Sequence, residues 1–249
     1  MFGRNITRCF EFVGENLDNT ASKKESIAII GGTGKEGRGL AYRWAKAGYP
    51  VTIGSRSIDK AIITRNEIAG FLKKTGVHSF ELFNNDNLGA VSKCDIAVLT
   101  VPYEFHDETL LSLRDALQGK FLLDVTVPLI PPKVTSVVIP PDGSIARHAQ
   151  IILGEKVRVI SAFQNISFEL LLSSKSVQCE VLVCGVDEES RRLGLRLVKD
   201  AGMIGWDAGP LENSIVQEGL TSILIRINKT FGVNSSGIKI TGVKQEKTE

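Results

Sequence analysis

From Ser26 onward the chain alternates short, almost wholly apolar runs with longer runs in which apolar residues recur at helical spacing. "IAII" at 27–30 predicts a buried strand, and a helix follows over residues 34–47, stopped by Gly48. "VTIG" at 51–54 predicts a second strand, and Ser57 is placed to cap a helix running to residue 74. A third strand is expected in "VHSFELF" (77–83), a short helix in 85–93, and a fourth strand in "DIAVLTVP" (95–102). A helix over 105–117 leads to a fifth strand, "KFLLDVTVP" (120–128). After a long connection come a helix at 144–154, strands at 157–163, 179–185 and 205–210, and a helix at 187–202. Apolar strands interleaved with helices call for a sheet covered on both faces, and right-handed crossovers make it doubly wound. The expected class is therefore α/β, with a mostly parallel Rossmann-type sheet and a small helical C-terminal part.

Three segments are predicted: an N-terminal extension (1–25), a dinucleotide-binding domain (26–210) and a helical segment (211–249). The extension ends in a polar "DNTASKKE" run that reads as a linker, and acidic residues with no continuous apolar stretch make it a poor secretory signal. Residues 128–144, rich in proline and glycine, form a long connection without a periodic pattern, a candidate lid or edge over a site. Apolar residues at helical spacing in 212–231 predict one final helix.

Composition narrows the function. A chain of 249 residues with net charge +2 and no basic stripe interleaved with aromatics is a poor partner for nucleic acid. No apolar run is long enough to span a bilayer. Cys9, Cys94, Cys179 and Cys184 form no CxxC pair and are expected as reduced, packed thiols. His78, His106 and His148 show no metal-binding spacing, and no His–Asp dyad is expected from them. His106 reads as a surface or capping histidine, Asp124 as structural, and Asp207 as fixing the "DAGP" turn. Tyr42 and Lys46 match the Tyr-x-x-x-Lys spacing of short-chain dehydrogenases, but on the first helix they are expected to pack or face solvent.

"GGTGKEG" carries the chemistry. Gly32, Gly34 and Gly37 satisfy G-x-G-x-x-G between a strand and a helix, the context in which glycines admit a tight turn, a close pyrophosphate and close helix packing. Thr33, Lys35 and Glu36 fill the intervening positions, beside helix N–H groups that attract phosphate. At the tip of the second strand, where an acidic residue would bind the ribose of NAD, the sequence reads Gly54-Ser55-Arg56, with Lys60 one turn on. A hydroxyl and fixed cations suit a 2′-phosphate dianion, at about 1.5–3 kcal/mol per charge-assisted bond. NADP is the expected cofactor.

With those residues in view, the region from Ser26 onward resembles the NADPH-dependent coenzyme F420 reductases. "IAIIGGTGKEGRGLA", "VTIGSRSIDKA", "CDIAVLTVP", "DAGPLENS", "LTSILIRIN" and "GIKITG" carry the resemblance. It implies a cytoplasmic homodimer whose small-molecule substrates are NADP and the 8-hydroxy-5-deazaflavin coenzyme F420. It implies hydride transfer between nicotinamide C4 and deazaflavin C5. It assigns the 2′-phosphate to Thr33, Ser55, Arg56 and Lys60, and sets Val101 and Pro102, with Val125 on the next strand, against the cofactor. The deazaflavin side falls to Gln164, Asn165, Ile166 and Thr221. The chain departs from archaeal members at Gln164, Ile215 and Gly219, where they carry histidine, arginine and serine.

Carbon-to-carbon hydride transfer needs close, dry stacking of two rings rather than an acid–base pair. Gln164 is expected to donate to a ring carbonyl, and Ile166 and Pro102 to pack the rings. Two other readings stay open: an NADPH-dependent reductase of an imine, flavin or metal complex, and a non-catalytic NADPH sensor.

Overall fold

The computed structural model describes residues 24–173 and 176–243. The predicted extension falls almost wholly outside these residues. Lys24 and Glu25, at its end, are ion-paired with Asp200 and Arg196. Among the described residues no helix is long and apolar enough to cross a membrane.

The sheet has eight strands in the order β3-β2-β1-β4-β5-β6-β7-β8. They are β1 (Ile27–Ile30), β2 (Val51–Ser55), β3 (Leu82–Asp86), β4 (Ile96–Leu99), β5 (Phe121–Asp124), β6 (Arg158–Ser161), β7 (Glu180–Gly185) and β8 (Ile204–Gly209). All neighbours are parallel except β6 and β7, which pair antiparallel through Ile160 and Ser161. Among the described residues of the 162–179 connection the helical structure is a single turn, α6 (Phe168–Leu171), instead of a return helix. Without a long crossover the next strand enters reversed.

The helices are α1 (Lys35–Lys46), α2 (Ile58–Lys74), α3 (Asn87–Val91), α4 (His106–Leu117), α5 (Ile145–Leu153), α7 (Glu188–Asp200) and α8 (Ser214–Phe231). Strand alternation assigns the core to two layers. Ile27, Ile29, Ile96, Val98 and Leu123 pack with Trp44, Tyr42, Leu72 and Leu197 on one face. Ala28, Ile30, Ala97, Leu99 and Leu122 pack with Leu110, Leu117, Ala149 and Leu153 on the other. Six of the eight strands have no exposed residue, as strands buried on both faces require; the two edge strands, β3 and β8, do.

The third strand lies later than its apolar pattern suggests. β3 holds only Leu82 and Phe83 of the predicted 77–83 run and continues through Asn84, Asn85 and Asp86, paired from Leu82↔Val51 to Asp86↔Ser55. As the sheet edge it is solvated along one side, so polar residues are tolerated there, and Asp86 then caps α3 by accepting from the Gly89 N–H at 2.6 Å. β5 stops at Asp124, four residues before the predicted end, because the Asp124 carboxylate accepts from Thr126 N–H at 2.9 Å and turns the chain. Tyr42 is fully buried against Phe71, and Lys46 stands 5.9 Å over its ring, so this pair is a packing feature.

Candidate active site

A cleft of about 1180 Å³ runs along the carboxyl ends of the strands. This is where open α/β sheets bind ligands, and the volume exceeds the usual pocket for one small molecule. A smaller hollow of about 510 Å³ lies among Glu25, Cys94, Lys120 and Arg196 at the opposite, amino ends of β4 and β5. It has neither the glycine loop nor the phosphate residues.

One end of the cleft is the dinucleotide site. Gly31 turns the chain out of β1 with φ +72°, and a Cβ there would meet the Val101 side chain at 2.7 Å. Gly31, outside the G-x-G-x-x-G spacing, is thus a position that pattern matching missed. At Gly37 a Cβ would sit 2.7 Å from Gly32 Cα and 2.8 Å from Thr100 Oγ1, which explains the third glycine of the motif. α1 has Gly34 at its N-cap position and so no side-chain cap, whereas α2, α5 and α7 are capped by Ser57, Ser144 and Asp187. Its first N–H groups therefore open onto the cleft beside Thr33, Lys35 and Glu36. Arg38 holds the loop by donating to the Thr33 carbonyl at 3.0 Å and pairing with Glu67.

Ser55, Arg56 and Lys60 line the same end. Ser55 is buried and accepts from the Ser57 N–H at 3.2 Å. The Arg56 guanidinium lies 4.6 Å over the Phe105 ring, which orients it without neutralising it. Neither Arg56 nor Lys60 has an acidic partner among the described residues. Val101, Pro102 and Val125, at the ends of β4 and β5, continue the wall towards the middle.

The other end is built by the segment after β6 and by α8. Phe163 adopts φ +76°, a strained conformation for a bulky residue, and packs edge-on to Trp44 at 5.8 Å. That kink presents Gln164, Asn165 and Ile166 to the cleft. The Gln164 amide nitrogen is already committed, donating to the Asp124 carbonyl at 2.8 Å and to Ser161 Oγ at 2.9 Å. The atom left free is Oε1, so this side chain offers an acceptor, not the donor expected from sequence. Asn165 likewise donates to the Glu180 carbonyl at 2.7 Å and keeps an unpartnered Oδ1. The Thr221 hydroxyl donates to the Gln164 carbonyl at 2.7 Å, tying α8 to the kink. Four buried polar atoms on this cleft lack partners: Glu36 Oε1, Thr126 Oγ1, Gln164 Oε1 and Asn165 Oδ1. Most buried polar atoms in proteins are satisfied, and of the seven orphans among the described residues these four gather on the cleft, where a ligand could meet them.

Residues 129–144 have no helix or strand, and Leu129, Ile130, Pro131 and Val134 line the cleft. The segment is docked on α8, where Ser222 donates to the Ser136 carbonyl at 3.2 Å and Gly219 faces Val137.

The histidines overturn one expectation. His106 is fully buried, and its ring nitrogens meet Asp124 at 2.9 Å and Asp107 at 2.8 Å. His148 joins Asp107 at 3.1 Å to Asp142 at 2.6 Å. The result is a chain of alternating carboxylates and imidazoles from the end of β5 to the end of the 129–144 segment. Sequence could not show it, because Asp124, His106 and His148 meet only when β5, α4 and α5 pack. Burial alone would lower the His106 pKa, but the two carboxylates reverse this and raise it to about 9. Asp207, as expected, accepts from the Gly209 N–H at 2.8 Å and fixes its turn. Cys94 and Cys184 are buried free thiols and Cys179 is half-buried, while Cys9 lies outside the described residues.

A glycine-loop cleft with an unpaired basic rim and a second compartment defines a dinucleotide-dependent oxidoreductase class. The family described as NADP oxidoreductase, coenzyme F420-dependent, matches residues 26–128. An F420-dependent NADP reductase of Methanocaldococcus jannaschii is 37% identical over 88% of this chain and 99% of its own length. Its namesake in Methanothermobacter thermautotrophicus is 36% identical over 89% of this chain and 97% of its own. The chain belongs to the coenzyme F420-dependent NADP oxidoreductase family.

Solved structures agree on the fold alone. A hypothetical protein, SMa0349 of Sinorhizobium meliloti, superposes with TM-score 0.63 at 18% identity, covering 79% of this chain and 88% of that one. A Myxococcus stipitatus imine reductase gives 0.55 at 17%, covering 84% and 63%.

Proposed function

We propose that this protein transfers a hydride directly between C4 of the nicotinamide of NADP(H) and C5 of the deazaflavin coenzyme F420, both bound in the one cleft. The observation that carries the reading is the cleft's two-part construction: the cations Arg56 and Lys60, without acidic partners among the described residues, beside the Ser55 hydroxyl, and unsatisfied acceptors at Gln164 and Asn165 beyond the glycine loop. Arg56, Lys60, Ser55 and Thr33 hold the 2′-phosphate, and the open first turn of α1 holds the pyrophosphate. Val101, Pro102 and Val125 direct the nicotinamide half towards the kink at Phe163. Ile166 packs on the rings, and Gln164 Oε1 and Asn165 Oδ1 accept from ring N–H groups.

The bound pair supplies the redox chemistry; the chain's contribution is orientation and exclusion of water, which well-placed reactants convert into large rate gains. Leu129, Ile130 and Val134 form the apolar cover that keeps the rings dry. The test is loss of the deazaflavin's visible absorbance on adding NADPH to protein and F420. No change with F420, beside tight NADPH binding, would favour another acceptor or a sensor.

The outer face of α8 exposes Val216, Ile223, Ile227 and Phe231. An apolar stripe of this kind on a soluble enzyme suits a second copy of the chain, in keeping with the homodimer that the resemblance implies. Ile223→Glu combined with Ile227→Glu is expected to give a monomer by sedimentation, against a dimer for the unaltered chain.

A further inference from the structure

Glu36 is a carboxyl group to which the positioning and shielding of the rings give no role. Its direction follows from α1. Residues 36, 39 and 43 fall on one stripe of the helix. At Gly39 a Cβ would overlap the Leu171 side chain, and Arg43 donates to the carbonyls of Leu170, Leu171 and Ser173 at 2.7–2.9 Å. That stripe therefore faces the 163–173 segment, and Glu36, at its cleft end, points towards the compartment between the glycine loop and the Phe163 kink. Glu36 lines the cleft, while its Oε1 is sealed from solvent with no hydrogen-bond partner.

The charged neighbours on every packed element are otherwise occupied or distant. On α1, Lys35 lies 4.5 Å over the Phe168 ring and Arg38 is paired with Glu67 of α2. Lys60 of α2 sits at the phosphate end, Glu104 follows β4, Glu169 lies on exposed α6 surface, and Asp124 of β5 is bonded to His106. None of them moves the Glu36 carboxyl; burial alone pushes it up to about 8.

With the 2′-phosphate at Arg56 and the pyrophosphate on α1, a nicotinamide would extend past Glu36 towards Val101 and Val125, which line the same cleft. This rests on the cofactor placement proposed above. We infer that Glu36 is a proton reservoir tied to the nicotinamide's charge, held as a neutral acid beside the reduced ring and as a carboxylate beside the oxidised, cationic ring.

The balance closes. Hydride transfer leaves one positive charge on the nicotinamide and one negative charge on the acceptor. Glu36 loses its proton as the positive charge arrives, and that proton neutralises the acceptor. When NADP+ is exchanged for NADPH, the carboxylate takes a proton back from solvent. The sum is NADPH, acceptor and one proton giving NADP+ and the doubly reduced acceptor. Glu36 is therefore a residue that keeps charge balanced within a dry cleft.

The test is the affinity of the protein for NADP+ and for NADPH, measured by titration calorimetry from about pH 6 to pH 9 in buffers of different ionisation enthalpy. Both dinucleotides carry the same 2′-phosphate, so the difference between them cancels its titration. NADP+ binding is expected to release up to one proton and to tighten by up to about tenfold per pH unit below the Glu36 pKa, relative to NADPH. Glu36→Gln is expected to abolish that difference. A second readout needs no variant: difference infrared should show a protonated carboxyl band lost on binding NADP+ and kept on binding NADPH. Parallel pH profiles for the two dinucleotides, or a slope that survives in Glu36→Gln, would overturn the assignment while leaving NADP binding intact. A chain that binds neither dinucleotide would overturn the cofactor placement as well.

Discussion

The two ends of the cleft are built on opposite principles. At the nucleotide end an apolar core carries a bare backbone turn, and the charges stand on the rim, unpaired and solvated. At the far end the packing surface is itself polar. α8 turns Ser214, Gln217, Glu218 and Ser222 inward, while Val216, Ile223 and Ile227 face out. Gln217 donates to Ser161 Oγ at 2.6 Å, and Glu218 accepts from the Ile145 and Ala146 N–H groups at 2.8 and 3.1 Å, at the start of α5. Burial pushes the Glu218 carboxyl up to about 7 despite those two bonds. The difference teaches what each end must do. A phosphate needs free charge and free N–H groups, whereas a flat heterocycle needs a few fixed acceptors in a wall that does not collapse.

The harshest way to break the comparison is Gly37→Val. Its Cβ would meet backbone at Gly32, which cannot step aside, so NADPH binding should fall by about a hundredfold or more, read by nicotinamide fluorescence. If binding survives, the close approach of α1 to the loop is not what makes the site.

His106→Leu attacks the far end through its support. Asp124 would be left buried without its imidazole, at a cost of about 3 kcal/mol in urea unfolding. The pH sign follows from the raised pKa: the stabilising contribution of His106 is full below about 6.5 and is lost as pH rises through about 9. The unaltered protein should lose stability over that window, and the variant should lack this component.

Arg56→Ala should weaken NADPH by roughly tenfold to a hundredfold and leave NADH almost untouched. Equal losses would mean that Arg56 serves the adenosine through its stack on Phe105 instead of the phosphate. The mildest change is Thr221→Val, which removes one hydrogen bond to the Gln164 carbonyl. It should raise KM for F420 by about threefold to tenfold while NADPH affinity stays level. A change in NADPH affinity instead would show that the two ends are not separable.

Much of the nucleotide end was legible because it is local. Gly32, Gly34, Gly37, Ser55, Arg56 and Lys60 lie on consecutive elements, and the structure gathers them at one end of the cleft through the glycine turn and the tip of β2. The doubly wound, mostly parallel class also followed, since buried parallel strands advertise themselves as apolar runs, whereas the strand order came from the structure. β3 was misplaced because an edge strand is free to be polar. The far end was less legible: Gln164, Asn165 and Thr221 were reached by resemblance, and the direction of the Gln164 amide was inverted because its nitrogen is consumed by Ser161 and the Asp124 carbonyl.

By itself, then, the sequence determined the doubly wound sheet, the glycine turn and the phosphate preference, all set by short-range sterics, alternation and charge. Only the tertiary structure decided the antiparallel β6–β7 junction, the Asp124–His106–Asp107–His148–Asp142 chain, the positive φ at Phe163 and the sealing of the Glu36 Oε1 in the cleft. Each of these depends on residues far apart in the chain competing for one buried volume. Which hydrogen bonds are spent there, and which atoms are left over for a ligand, is settled by packing and cannot be read along the chain.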